Sequence, residues 1–99
     1  MKKVVIFGTG EYAELAHYYF ENDSECDFEV VGFVADDEYV KEDTFRGLPL
    51  VKLSNLTKIF PSNKFSAHVA LSYSKLNQVK QEKFNTMKEL GYELVSYVC

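Results

Sequence analysis

The stretch KVVIFGTGEYA, residues 3–13, decides the fold of this 99-residue chain. It begins with a continuous apolar run rich in β-branched residues, which is typical of a strand covered on both faces in a parallel sheet. Gly8 and Gly10 interrupt the run, and a helical pattern follows. Strand, glycine turn and helix in this order predict the opening βαβ unit of a Rossmann-like fold.

The rest of the chain keeps alternating strand and helix patterns. A helix is predicted over residues 11–22, with an apolar face made by Tyr12, Leu15, Ala16, Tyr19 and Phe20. Further strands are predicted at residues 28–35, 50–51 (a short edge strand), 66–71 and 92–98. Further helices are predicted at residues 54–60, capped by Ser54, and at residues 75–90. The acidic segment 36–47 is typical of an exposed loop, and Gly91 fits the residue after a helix, where a positive φ is often required.

These elements predict an α/β fold, a Rossmann-like three-layer αβα domain that occupies residues 1–99. The sheet is expected to be mainly parallel with about five strands, because parallel strands need helical crossovers. Right-handed crossovers leave few topologies, and we expect the strand order 3-2-1-4-5. The chain stops directly after a predicted strand, so we expect it to be a piece of a longer protein.

Composition limits the classes of partner. The net charge of −4 disfavours non-specific binding to duplex nucleic acid or to an anionic membrane. No apolar run approaches the roughly 18–20 residues of a membrane span, and the N-terminus lacks the pattern of a signal peptide. The two cysteines, Cys26 and Cys99, lack metal-binding or disulfide-framework spacing. We therefore expect a cytoplasmic protein with reduced thiols and no metal.

The glycine turn is the first candidate binding element. Gly8-Thr9-Gly10, Glu11 and Ala13 form a G-x-G-x-x-A pattern between a strand and a helix. The first glycine permits a tight turn, the second lets a phosphate approach the backbone, and the small alanine lets helix and strand pack closely. The alternative is that the glycines only make the turn. Glu11 is an unfavourable neighbour for a phosphate at the helix N-terminus.

Two further groups of residues are expected at the same edge of the sheet. Asp36 and Asp37 follow the second strand, near the offset at which dinucleotide sites carry a ribose-binding acid, although they would also suit a solvated strand end. Past the fourth strand lie Ser72, Tyr73, Asn77 and Lys80. Ligands of open α/β sheets bind beyond the carboxyl ends of the strands, so these side chains should border the crevice.

The sequence offers no catalytic constellation. His17 and His68 are isolated, and we expect His17 on a helix surface and His68 in or near the sheet. No Ser–His–Asp or Cys–His arrangement and no pair of acid/base carboxylates is recognisable. We therefore expect a binding domain without turnover of its own.

Three segments in order, VVIFGTGEYAELAHYYF (4–20), VVGFVADDEYVKEDTFRGLPLV (30–51) and HVALSYSKLNQVKQEKFNTMKELGYELVSYV (68–98), carry a family resemblance. Together they resemble the N-terminal domain of bacterial NeuD- and PglD-type sugar O- or N-acyltransferases. The resemblance covers essentially the whole chain. It rests on the glycine turn, the acidic strand end, the G-x-P turn, Asn77 with a basic residue three positions later, and the GYELVSYV strand (91–98).

The resemblance implies a domain that binds a nucleotide-activated sugar, commonly a UDP-sugar. Gly8, Thr9 and Gly10 would line the diphosphate and ribose, Asp36 and Asp37 would face the uracil or ribose, and Asn77 and Lys80 would lie near the nucleotide. The family's second domain, a left-handed β-helix, would follow this chain. It would bind acetyl-CoA and form a homotrimer, whereas this domain would bind no cofactor and would be a monomer or dimer by itself.

Two other hypotheses stay open from the residues alone. The GTGEYA pattern also fits an NAD-type dinucleotide-binding or regulatory domain. A structural or interaction domain whose glycine turn binds nothing would show the same pattern.

Overall fold

The structure is a computed structural model that describes residues 2–22, 28–70 and 77–95, with the backbone alone for residues 77–80. Its strands are β1 (Lys2–Phe7), β2 (Phe28–Ala35), β3 (Thr44–Phe45), β4 (Leu48–Lys52) and β5 (Ser66–Val69). Its α-helices are α1 (Glu11–Asn22), α2 (Leu56–Ile59) and α3 (Asn77–Glu89). Short 3₁₀ turns occupy Asp37–Tyr39 and Leu53–Asn55.

The five strands form one sheet in the order β3-β4-β2-β1-β5. β1 pairs in parallel with β2 and with β5, β2 pairs in parallel with β4, and β3 pairs antiparallel with β4. The predicted α/β class with a mostly parallel sheet is confirmed. The observed strand order differs slightly from the predicted order 3-2-1-4-5, because the segment 36–47, predicted to be a loop, contains the additional strand β3. The predicted edge strand at Leu50–Val51 is therefore an inner strand.

Two predicted elements are shorter among the described residues than the sequence indicated. The predicted final strand, residues 92–98, is reduced among the described residues to one parallel bridge between Leu94 and Ala67, and residues 96–99 lie outside the description. The predicted helix 54–60 is a 3₁₀ turn followed by the four-residue α2, whose N-cap is Asn55 rather than Ser54. Ser54 and Asn55 account for the shortened helix, since Ser and Asn side chains favour turns over regular helix.

The sheet separates two apolar clusters, because successive side chains of a strand point to opposite faces. Val4 and Ile6 of β1 lie in the cluster that contains Ala13, Ala16 and Phe20 of α1. Val5 and Phe7 lie in the opposite cluster, which contains Leu56 of α2, Phe60 directly after it, and Met87 of α3. The helices therefore cover both faces of the sheet, which is the predicted three-layer arrangement.

The face that helix α1 buries coincides only partly with its predicted apolar face, with Ala16 and Phe20 in common. Its buried residues are Ala13, Ala16, His17 and Phe20. The predicted core residues Tyr12, Leu15 and Tyr19 are 40%, 44% and 46% exposed. Small residues let the helix approach the sheet closely, whereas the aromatic rings would hold it away.

His17 is buried, so its predicted surface position was wrong. Arg46 Nε lies 3.0 Å from His17 Nδ1, and Glu21 Oε1 lies 2.7 Å from Nε2. Because arginine can only donate, Nδ1 is the acceptor and the ring proton of the neutral imidazole is on Nε2, donated to Glu21. Arg46 and Gly47, at φ 53° and 81°, form the two-residue loop of the β3–β4 hairpin. The imidazole thus ties this hairpin to α1.

Gly32 lies where β2 passes beneath the ring of Phe60. The pairing of β1 with β2 shifts by one residue here, between Val4 and Val5. A Cβ at position 32 would lie 2.8 Å from the Phe60 ring and 3.0 Å from the Pro49 carbonyl oxygen. The close packing of α2's end against the sheet therefore requires glycine at this position.

We expect Gly32→Ala to lower the free energy of unfolding by about 1–3 kcal/mol, the usual range for overpacking a core. The measurement is urea unfolding followed by circular dichroism. Adding Phe60→Leu to Gly32→Ala should recover part of that loss relative to Phe60→Leu alone, since the smaller side chain vacates the space. Additive effects of the two substitutions would contradict the proposed clash.

Tyr92 links the segment after α3 to the end of α2. Its hydroxyl donates to the carbonyl oxygen of Phe60, and the side chain is buried. Burial raises the pKa of the Tyr92 phenol above its usual 10.0. The folded state therefore favours the neutral phenol, and the associated stability is present below pH 10 and is lost as the pH rises through the folded-state pKa.

We expect Tyr92→Phe to reduce stability by about 1–2 kcal/mol at neutral pH, because a buried carbonyl loses its donor. Between about pH 9 and about pH 11 the variant should lose less stability than the wild type. Tyr39→Phe is the control, since Tyr39 is 64% exposed. Equal alkaline losses in the wild type and Tyr92→Phe would refute the assignment.

Candidate functional site

The carboxyl ends of β1, β2 and β5 meet at one edge of the sheet. The Gly8 N–H donates to the Val34 carbonyl oxygen at 2.8 Å, and the Ala70 N–H donates to the Phe7 carbonyl oxygen at 3.0 Å. β1 lies between the other two strands, and α1 and α3 cover opposite faces of the sheet. This is the switch point at which open α/β sheets bind ligands.

Gly8 is required by the fold itself. Its φ is +129°, and a Cβ there would lie 2.8 Å from the Ala70 carbonyl oxygen. The same Cβ would lie 3.7 Å from the Cβ of Ala13, which is fully buried. The tight turn and the small residue of the G-x-G-x-x-A pattern thus have the structural roles expected from the sequence.

Gly10 has no such structural requirement. No heavy atom lies within 4 Å of a Cβ built at this position. Its carbonyl oxygen accepts from the N–H groups of Ala13 and Glu14 at 3.1 Å, so Gly10 is the N-cap of α1. Serine or aspartate would cap the helix better than glycine. The open space at Gly10 leaves room for a ligand at the N-terminus of α1.

The acidic residues at this helix end have different surroundings. Glu11 and Glu14 both lie in the first turn of α1 and are exposed. Glu14 Oε1 lies 3.6 Å from Arg46 Nη1. The pair reduces the negative charge that a phosphate at Gly10 would meet.

Asp36 and Asp37 are brought to the edge but face different elements. Asp36 Oδ1 accepts a hydrogen bond from Lys83 Nζ of α3 at 2.7 Å. Asp37 Oδ1 accepts from the backbone N–H of Ser54 at 3.1 Å. The hydrogen bond from the Ser54 side chain and, second, the one from the Ser54 backbone N–H hold the pKa of Asp37 below its usual value. The positive charge of Lys52 is a smaller cause. Asp37 therefore anchors the turn after β4, while Asp36 connects the sheet to α3.

Lys83 is the residue at this edge that the sequence analysis did not assign to the site. Its ammonium lies 5.8 Å from the centre of the Phe7 ring, beside the end of β1. In the sequence it occupies an apolar helical stripe, where a lysine stem covers core. Lys83 lies six residues after Asn77, the first residue of α3, and belongs to no sequence motif that indicates a binding site.

The remaining predicted site residues are less fully described. Thr9 is half-buried between the two glycines. Asn77 and Lys80 lie in the first turns of α3, at the expected edge, with their side chains outside the description. Ser72 and Tyr73 lie outside the described residues.

Two other classes of feature are missing from the described part of the chain. Residues 2–22, 28–70 and 77–95 contain no group of three His, Cys, Asp or Glu side chains that could hold a metal ion. In the same ranges, no helix is long and apolar enough to span a bilayer.

Comparison with solved structures identifies proteins of the same fold. UDP-D-quinovosamine 4-dehydrogenase from Vibrio fischeri has a TM-score of 0.75 at 20% identity, over 94% of this chain and 75% of that one. The H141N mutant of perosamine N-acetyltransferase from Caulobacter crescentus, solved with CoA and GDP-perosamine, has a TM-score of 0.72 at 21% identity, over 96% of this chain and 41% of that one. The chain shares the Rossmann-like fold of these sugar-modifying enzymes.

The fold also occurs outside this group of enzymes. RSP, a Rex-family repressor solved with β-NADH, has a TM-score of 0.66 at 11% identity, over 95% of this chain and 44% of that one. No protein-family model matches the sequence, and no curated protein matches it. The resemblance to the acyltransferase N-terminal domain is confirmed at the level of the fold, and this chain spans less than half of the acetyltransferase.

We expect Ser54→Ala to raise the pKa of Asp37 toward its ordinary value of 3.8, because the substitution removes the side-chain donor. An NMR titration of the Asp37 carboxyl carbon measures this shift. Thr57→Ala, which removes another exposed hydroxyl of the same region, should leave the titration unchanged. An unaltered Asp37 titration in Ser54→Ala would show that the contact with Ser54 does not stabilise the carboxylate.

Proposed function

We propose that this domain binds a nucleoside-diphosphate sugar, with a UDP-sugar as the first candidate, and serves as the recognition module of a sugar acyltransferase. The observation that carries the proposal is the open space at Gly10, beside the edge where Asp36 and Lys83 meet. A phosphate at Gly10 would receive backbone N–H groups and the positive end of α1. The nucleoside would then extend along the ends of β1 and β2.

The fold neighbours support this choice of ligand class. The dehydrogenase is named for a UDP-sugar, and the acetyltransferase was solved with a GDP-sugar. Each combines this fold with chemistry on a nucleotide-linked sugar. In the proposed protein, acyl transfer from acetyl-CoA would occur on a further β-helical domain, with a homotrimer as its assembly, and this chain would position the sugar.

An NAD-type domain is the second candidate, because RSP shares the fold and was solved with β-NADH. NAD binding uses an acid at the end of the second strand to hold the ribose hydroxyls. Asp36 occupies that place, but its Oδ1 already accepts from Lys83. The pair makes a two-oxygen contact with a ribose diol less favourable, which is why we place the NAD-type function second.

The test is a ¹⁵N NMR titration of the chain with UDP and, separately, with NAD. We expect saturable shifts with UDP, clustered at residues 8–13, at Asp36 and in the first turns of α3. Saturation with NAD alone would favour the dinucleotide function. Shifts with neither ligand at millimolar concentration would reject nucleotide binding by this domain.

The same titration with a variant tests whether the phosphate binds at the glycine turn or elsewhere at the carboxyl ends of the strands. Gly10→Val places a side chain in the open space, where its Cβ would have no heavy atom within 4 Å, and we expect it to weaken UDP binding at least about tenfold, because a side chain would stand where the phosphate approaches. Asn63→Val, at an exposed position in the turn before β5 and at the opposite end of the strands, is the control for a substitution away from this edge. Unchanged UDP affinity in Gly10→Val would place the phosphate elsewhere.

A further inference from the structure

The ion pair between Lys83 and Asp36 is part of the candidate site and is accessible to a ligand. The two atoms Lys83 Nζ and Asp36 Oδ1 lie 2.7 Å apart, and the side chains are 21% and 26% exposed. This partial burial shields the pair from water more than a surface pair would be shielded. Enough surface remains for a bound molecule to reach both groups.

The fold fixes where the ammonium lies. α3 connects β5 to the segment at Leu94 in the sequence. β5 is parallel to β1, and Leu94 pairs in parallel with β5, so α3 must run in the opposite direction to the strands. Side chains of a helix incline toward its N-terminus, so the long stem of Lys83 extends toward the carboxyl ends of the strands. The Phe7 ring, 5.8 Å from Nζ, provides a favourable aromatic face for the cation.

The charges of the pair determine what it can recognise. Carboxylate and ammonium cancel, so the pair gives a phosphate little net attraction. No hydrogen bond among the described residues uses Asp36 Oδ2, which remains an acceptor, and the ammonium has three N–H donors of which Asp36 takes one. The pair thus presents one acceptor beside one donor, which is complementary to a ligand edge with a donor beside an acceptor.

We propose that Lys83 is a base-specificity residue, and that with Asp36 it selects nucleobases that carry a ring N–H beside a carbonyl oxygen. Uracil has this edge at N3–H and O4, and guanine has it at N1–H and O6. Cytosine and adenine also have a donor beside an acceptor, but in the reverse order relative to the ribose: the ring nitrogen is the acceptor and the exocyclic group is the donor. With the ribose held in the same place, their bare ring nitrogen would face the carboxylate and their amino group would face the ammonium. The inference rests on the proposed function and deepens it by naming the class of nucleotide.

The first measurement is the affinity of the wild-type chain for UDP, GDP, CDP and ADP by calorimetry or NMR titration. All four share the ribose and diphosphate, so the differences report the base. We expect UDP or GDP to bind at least about tenfold more tightly than CDP and ADP, because a hydrogen bond to a charged group is lost with the last two.

Two variants separate the halves of the pair. Lys83→Met keeps the stem on Phe7 and removes the donor, so UDP affinity should fall about tenfold while CDP affinity changes little. Lys88→Met is the matched control, since Lys88 lies on the same helix beside Phe84 and away from Asp36. In Asp36→Asn, Lys83 would hold the amide oxygen and turn the NH₂ group outward. That donor would face the N3–H donor of uracil, so UDP affinity should fall at least about tenfold.

The outcomes separate this inference from the proposed function. Equal wild-type affinities for UDP, GDP, CDP and ADP would overturn base selection and leave nucleotide binding in place. A Lys83→Met variant that loses UDP and CDP affinity equally would mean that the ammonium contacts the phosphates or ribose, which also overturns the inference. A folded wild-type chain that binds none of the four would overturn both proposals.

Discussion

The tight turn at Gly8 is the constraint on which the rest of the structure depends. The backbone there has φ +129°, and a Cβ would lie 2.8 Å from the Ala70 carbonyl oxygen. Only glycine adopts this conformation at so close an approach without strain. The turn lets the chain leave β1 and enter α1 within three residues, while β5 remains directly beside β1. Larger side chains would separate the strand ends and open the core beneath them.

The same turn creates the place where a ligand can bind. Because Gly8 holds β1, β2 and β5 together at their carboxyl ends, side chains distant in sequence converge above them. Asp36 comes from the end of β2 and Lys83 from the second turn of α3, 47 positions later. Their partly buried pair spans two layers of the domain. Its value for recognition lies in presenting a donor and an acceptor together, since the opposite charges cancel.

The polar contacts between α1 and the β3–β4 hairpin, at the β3 edge of the sheet, are structural. His17, buried under α1, accepts from Arg46 in the β3–β4 loop and donates to Glu21. Arg46 has a positive φ of 53°, which a non-glycine residue adopts at some cost. The partly buried hydrogen bond offsets that cost and positions the hairpin at the sheet edge. Isolated histidines in a sequence can therefore hold elements together without any role in chemistry.

The sequence by itself determined the α/β class, the span of α1 and β2, the glycine turn and the edge where Asp36 lies, because these follow from local apolar runs, helical periodicity and glycine geometry. Only the tertiary structure decided which face of α1 is buried, that β4 is an inner strand, and that Lys83 meets Asp36. The apolar pattern of α1 favoured Tyr12 and Leu15, but close packing against the sheet buries Ala13 and His17 instead. A lysine in a helical stripe has the same local pattern whether its ammonium is solvated or paired, since its partner comes from a distant strand end.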